Sequence, residues 1–238
     1  MPDTNPASVA DAAVDALMAL LAERHWADIS LTDIAARAGV DLGQLRGAVP
    51  SKGAILAGFS RRIDQQVLSG RDEAADPFAE PARERLFDIL MRRFDALAPH
   101  RPAIRNAVEG LRRDPMFAVA WNRVMVNSAQ WMLAAAGIEE TGALGGARAQ
   151  ALALLYGRVL SVWLGDEDPG LAKTMAALDR ALRRAERLAD AGRVAERLGA
   201  PFLRMARRQR RHRFRSRLHR RHRDYPLDED DGEAAAAR

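Results

Sequence analysis

The amino-acid sequence predicts an all-α protein, and three features carry that prediction. Apolar residues recur three and four positions apart in nearly every long segment, the spacing that gathers one face of a helix. Alanine, leucine and arginine dominate, while β-branched runs are rare. Capping residues and glycine or proline stops punctuate the chain at helical intervals. The organisation this predicts is a module of three to four helices over residues 1–55 and a larger antiparallel helical domain over 56–198. A low-complexity tail over 199–238 is expected to be disordered.

The first segment runs from about Ser8 to Arg24, with Val14, Leu17, Leu20 and Leu21 on one face and Ser8 with Asp11 as a capping box. A second box, Ser30 with Asp33, starts a short helix near Leu31, and Gly39 ends it because glycine readily takes the left-handed conformation of a helix stop. Asp41 caps a third helix over about Leu42 to Ala48; Pro50 interrupts, and Ser51 caps a fourth through about Leu68. Pro81 then opens a helix that buries Leu86, Leu90, Phe94 and Leu97, and a shorter one follows over about 102–113. Asp114 and Pro115 start the next, with Phe117, Trp121, Val124 and Trp131 along a stripe that ends at Gly137. A glycine-rich turn, TGALGG, leads into residues 147–164, which are apolar almost all round. Asp168 and Pro169 are expected to open the last helix, with Leu171, Met175, Leu178, Leu182 and Ala185 as a narrow packing seam.

At 238 residues the chain can bury a substantial core, one ordinary domain and a small one. It has no cysteine, which excludes disulfides, thiolate metal sites and a cysteine nucleophile and fits a reducing cytosol. No basic-then-apolar leader opens it, and no apolar run reaches the roughly 18 to 20 residues of a membrane span, so a cytoplasmic protein without integral membrane association is expected. The net charge of +5 is unevenly placed. Residues 204–223 carry eleven arginines and no acid, and 224–238 carry six acids against one arginine. Against totals of 37 basic and 32 acidic residues, that leaves 25 and 26 in residues 1–203.

Two short helices joined by a glycine turn and preceded by a longer support helix have the layout of a helix-turn-helix, whose second short helix enters the major groove of DNA. The run SLTDIAARAGVDLGQLRGAVPSKGAIL resembles the TetR family at Thr32, Ile34, Ala35, Ala38, Gly39, Val40, Gly43, Leu45, Pro50, Ser51, Lys52 and Leu56. That resemblance implies a TetR-type fold, a DNA-binding module followed by a domain that binds a ligand and dimerises. Ile34, Val40 and Leu45 read as filling the module's small core. The candidate DNA-binding residues are Thr32, Asp41, Leu42, Gln44, Arg46 and Lys52. Lys52 stands at a helix N-terminus, as a phosphate contact or an ordinary solvated lysine. Thr32 touches phosphate or helps cap its helix, and Gln44 and Arg46 reach base edges or are simply exposed. The chain departs from the family where Arg46 replaces the usual aromatic after the leucine and Ala48 and Val49 replace two bulky residues before the proline. Gly47 weakens that helix by about 1 kcal/mol relative to alanine.

Over about thirty residues, RVLSVWLGDEDPGLAKTMAALDRALRRAERL is similar to the C-terminal part of the Coq-nine family of ubiquinone-biosynthesis accessory proteins, through Trp163, Asp166, Asp168, Pro169 and Leu178. That resemblance implies an isoprenoid or quinone lipid ligand as the alternative to operator DNA. Phe94, Trp121, Met125, Trp131 and Trp163 are the candidate ligand-binding residues, the methionine adapting to an elongated apolar molecule; core packing is the competing reading of each. Residues 147–190 are expected to form a two-fold homodimer interface, because one domain cannot cover so much apolar circumference. The arginine block attracts anionic surfaces without sequence information. The chain contains no phosphate-loop GxxxxGK[ST], no HExxH and no GxSxG, so no catalytic residues, metal ligands or cofactors are expected and an enzyme is the least supported class.

Overall fold

The computed structural model describes residues 5–69, 80–138, 141–189 and 191. Those residues hold helices and no strand: α1 Pro6–Glu23, α2 Leu31–Ala38, α3 Leu42–Ala48, α4 Lys52–Ser69, α5 Ala82–Leu97, α6 Arg101–Gly110, α7 Pro115–Ala135, α8 Gly142–Leu164, and α9, from 172 to 189. The all-α prediction therefore holds. The tail over 199–238 lies outside the described residues.

The start of α1 differs from the sequence reading. Asn5, not Ser8, is the cap: its side chain accepts from the Ala7 N–H, Pro6 fills the first turn, and the Ser8 hydroxyl donates to the Asn5 carbonyl. The helix then buries Val14, Leu17, Leu20 and Leu21 and packs on α2, α3, α4 and α6, so it is the support around which the N-terminal helices assemble. A 3-10 turn at Trp26–Asp28 carries the chain to α2.

α2 and α3 are each closed by a reciprocal box. The Asp33 N–H donates to the Ser30 hydroxyl oxygen while the Asp33 carboxylate takes the Ser30 N–H at 2.8 Å. One turn later Asp41 and Gln44 do the same at 2.8 and 3.0 Å. Between them Gly39 sits at φ +70°, a conformation a side chain would strain. Short helices cannot stabilise themselves by length, so these caps and the buried Ile34 and Ala35 of α2 and Leu45 of α3 hold them.

α4 runs unbroken through residue 55 and packs on α5 and α7, and α7 and α8 form the largest pairing of the larger domain. Gly137, at φ +70°, ends α7, and the Arg85 guanidinium caps that end through the Ala136 carbonyl at 2.7 and 3.0 Å. Two boundaries fall elsewhere than the sequence suggests. Gly142, Gly145 and Gly146 belong to the first turns of α8 and not to a turn before it. α9 begins at 172, not at Pro169, because Leu171 takes φ +52° after the Pro169–Gly170 turn. Asp168 accepts from the Ala172 N–H, and the buried Asp166 takes both the N–H and the hydroxyl of Thr174 at 2.8 and 2.7 Å. The Thr174 hydroxyl above all holds the Asp166 carboxyl below the ordinary range.

Candidate functional site

The outer face of α3 presents Leu42, half exposed, with Arg46 and Gly47, while Leu45 points into the core and is 2% exposed. Arg46 donates to the Pro50 carbonyl at 2.8 Å, so its charge is held beside the helix end without being neutralised by an acid. Gln44, half-buried, uses its carbonyl oxygen in the cap of α3, which leaves its amide N–H donors outside that cap. Asp41 accepts from the Gln44 N–H; its place is that of a cap. Thr32 is exposed on the first turn of α2, where Ser30 and Asp33 already make the cap. Arg24 and Arg37 form exposed pairs with Asp33 and Glu23, of the strength that exchanges readily for another anion.

Lys52 is the correction among these residues. Its ammonium donates to the carbonyls of Trp26 and Ile29 at 2.7 and 2.8 Å and lies 4.1 Å from the centroid of the Trp26 ring. Burial lowers its pKa, partly opposed by the Asp114 charge. A cation so committed locks the 3-10 turn to the start of α4, and a phosphate role is not what the geometry favours. Sequence reasoning missed Trp26, the residue that makes this lock. Its ring stacks on Phe117 at 4.2 Å, and Phe117 meets Trp121 edge-on at 5.9 Å. A line of aromatic contacts therefore runs from Lys52 to α7.

Trp121 lines a cavity of about 20 Å³ together with Leu56, Phe59, Arg93, Met125 and Tyr156. That has room for about one water. Of the candidate ligand residues, Trp121 and Met125 are on this wall. Phe94 and Trp163 are fully buried behind it, where Phe94 stacks on Tyr156 at 4.9 Å and on Trp163 at 5.6 Å. Trp131, expected to line the same cavity, is 57% exposed and does not. The helical stripe from Phe117 through Trp121 to Trp131 drifts around α7 over ten residues, and the structure turns Trp131 outward.

Sequence reasoning also missed a buried polar cluster. Arg93 of α5 pairs with Asp64 of α4, the Ser128 hydroxyl donates to Asp64 at 2.7 Å, and Arg93 reaches Ser60 at 3.3 Å. Arg93 follows Leu86 and Leu90 on the apolar phase of α5, a charge on a buried face that was visible in the sequence. Among the described residues no cluster of acids and histidines is placed to hold a metal, and no helix is long and apolar enough to cross a membrane.

The chain matches no protein-family model. It is 29% identical over 173 residues to the HTH-type transcriptional regulator EthR of Mycolicibacterium smegmatis, covering 67% of this chain and 77% of that one. A TetR transcriptional regulator structure from Nitrosomonas europaea superposes with a TM-score of 0.56 at 26% identity, covering 74% of this chain and 97% of that one. A second, from Rhodococcus sp. RHA1, has a TM-score of 0.52 at 21% identity over 74% and 94% of the two chains, a likeness of fold. With the element order and the doubly capped helix-turn-helix, these likenesses give the chain a TetR-type fold and make it similar to TetR-type transcriptional regulators.

Proposed function

We propose that this chain is a ligand-responsive, cytoplasmic regulator that binds double-stranded operator DNA as a homodimer, with residues 1–55 as the DNA module and 56–198 as the sensing and dimerisation domain. The observation that carries this reading is α3 itself: capped at one end, anchored by Leu45, and open on the face that bears Leu42 and Arg46. α3 enters the major groove. Arg46 reads guanine or phosphate, the Gln44 amide donates to an acceptor on a base edge, Leu42 makes apolar contact, and Thr32 takes a phosphate. The regulator reading also has the support of the relatives, which are named as transcriptional regulators.

The dimer face is the outer stripe of α8. Ala147, Ala151, Leu154, Arg158 and Ser161 are exposed there at alternating spacings of four and three, with Val162 beside them; Leu154 is 58% and Val162 38% exposed, and Met175 of α9 is exposed to the same 38%. A second copy of the chain covers this surface with the same residues. Leu178 belongs to the core of the single chain, at 0% exposure, and is no part of the face. Ligand and DNA are coupled through α4, which starts at Lys52 beside the module and carries Leu56, Phe59 and Ser60 to the cavity wall. The lipid alternative lacks a cavity of matching size, since an isoprenoid chain far exceeds the room beside Trp121.

The test is gel retardation by the full chain of DNA from upstream of its own coding region, in competition with scrambled DNA. Preferential retardation of the upstream DNA, lost in Leu154→Glu together with the dimer in light scattering, is the expected result. Equal retardation of both DNAs, abolished by modest salt, contradicts the reading.

A further inference from the structure

A DNA duplex is a polyanion, and proteins hold it largely through cations that neutralise phosphates and release their counter-ions. Residues 1–55 are poor in such cations: they carry seven acids against four bases, Arg24, Arg37, Arg46 and Lys52. Three of the four bases are already engaged. Lys52 donates to the carbonyls of Trp26 and Ile29, and Arg24 and Arg37 are paired with Asp33 and Glu23. Arg46 is exposed and, among the described residues, meets no acid; it donates to the Pro50 carbonyl.

Helix N-termini, whose free N–H groups attract phosphate, offer no substitute, because the chain's own acids stand there. The Asp33 carboxylate takes the Ser30 N–H at the start of α2, and Asp41 takes the Gln44 N–H at the start of α3, the end nearest the bases in a helix-turn-helix. The module therefore presents a shaped face with little positive charge behind it.

The cations stand elsewhere in the chain. Residues 204–223, outside the described residues, carry eleven arginines and no acid, and these outnumber the six acids of 224–238. Residues 1–203, with 25 bases and 26 acids, bring no positive excess of their own. Guanidinium groups meet phosphate bidentately but read no sequence from it. Each part has what the other lacks. Covalent attachment to a chain held on DNA by α3 keeps the arginines at high effective concentration near the flanking phosphates, so neither part has to bind tightly alone.

We propose that this chain binds double-stranded DNA in two parts: α3 reads the bases, and the arginine segment 204–223 supplies the phosphate contacts that the acidic helix-turn-helix module lacks. This rests on the DNA-binding reading above and adds the source of the affinity to it.

The test is the salt dependence of binding by the full chain to upstream and to scrambled DNA. Arg24, Arg37 and Arg46 of both copies in a dimer, all turned to phosphate, give log K a slope of about −5 against log salt. The two-part account expects a steeper slope, and one of about −5 or shallower overturns it without any variant. A single variant carrying Arg207→Gln, Arg208→Gln, Arg210→Gln, Arg211→Gln, Arg213→Gln and Arg215→Gln is expected to flatten the slope. At about 0.1 M salt it should weaken binding to both DNAs by a common factor of at least about a hundredfold, with the preference for upstream DNA kept. The same six positions changed to Lys should keep most of the slope. An unchanged slope in the glutamine variant overturns the proposal, and so does a lysine variant that loses as much, because charge is then not what acts. A loss seen only on phosphatidylglycerol vesicles, and not on DNA, overturns it in favour of a membrane surface. If the glutamine variant does not fold, the wild-type slope and the lysine variant decide. Retained preference for upstream DNA with the shallow slope removes only the part given to 204–223, whereas no preference in the wild type at any salt contradicts α3 as the reader and the two-part account with it.

Discussion

The N-terminal part, through the first turn of α4, and the larger helical part that follows deal with polar side chains in opposite ways. In the first they are mostly spent locally, at helix ends: Ser30 with Asp33, Asp41 with Gln44, and the Ser51 hydroxyl accepting from the Ala54 N–H, while Lys52 reaches back to the carbonyls of Trp26 and Ile29. In the second they are buried mid-helix and bonded across helices, Asp64 to Arg93 and Ser128. The first arrangement fixes short elements in one geometry, as the proposed DNA contact requires. The second places costly, directional groups where four helices meet, so any change in their balance is felt in the packing of α4.

Breaking the buried pair is the largest perturbation this comparison predicts. Arg93→Leu leaves Asp64 charged and uncompensated and should cost about 3 to 5 kcal/mol, measured by urea unfolding, whereas the double variant Asp64→Leu with Arg93→Leu should recover most of that loss. A single variant that costs under about 1 kcal/mol would mean that the cluster is not held as the structure has it.

Lys52→Met sharpens the other side. It removes a charged donor from the Trp26 and Ile29 carbonyls and should cost about 2 kcal/mol in the same unfolding measurement. DNA affinity should fall with the loss of order in the module, at every sequence alike. Selective loss at one base pair would instead place Lys52 on the DNA.

The smallest effect is one of pH. His100 stands at the α5–α6 junction, edge-on to Phe59 at 4.9 Å, and burial, with the Arg62 charge second, lowers its pKa from 6.5. A base depressed by folding is neutral in the folded state, so its contribution is full above pH 6.5 and is lost as pH falls through the lowered value. The carboxylates of Asp33 and Asp166, lowered from 3.8 chiefly by the hydroxyls of Ser30 and Thr174, lose theirs only in more acid solution. Thermal melts between pH 7.5 and 5 should therefore show a decline that His100→Gln flattens; an identical slope in the variant would assign the decline elsewhere.

What could be read from the sequence follows the same division. The boxes at Ser30 and Asp41, the Gly39 stop and the buried Ile34 and Leu45 depend on neighbours three or four residues away, and periodicity and capping rules reach that far. At the start of α1 the cap rule placed the boundary at Ser8, three residues after the actual cap, Asn5. The Lys52 lock joins residues 23 and 26 positions apart, and the Asp64–Arg93–Ser128 cluster spans 64. No local pattern encodes such pairings; the visible trace was an arginine on the apolar face of α5. Trp131 was misplaced for a related reason. Helical spacing tells which residues share a stripe, but the neighbours decide which stripe is covered.

The central claim is that α3 reads DNA through Arg46. The most direct measurement is competition binding of the full chain and of Arg46→Ala to its protected upstream site and to every single-base substitution of that site, at one fixed salt concentration. The account predicts a loss of about 1 to 3 kcal/mol for Arg46→Ala on the native site, with discrimination relaxed at one base pair in each half-site and kept at the others. Equal weakening on all sequences, or no change on any, would contradict it.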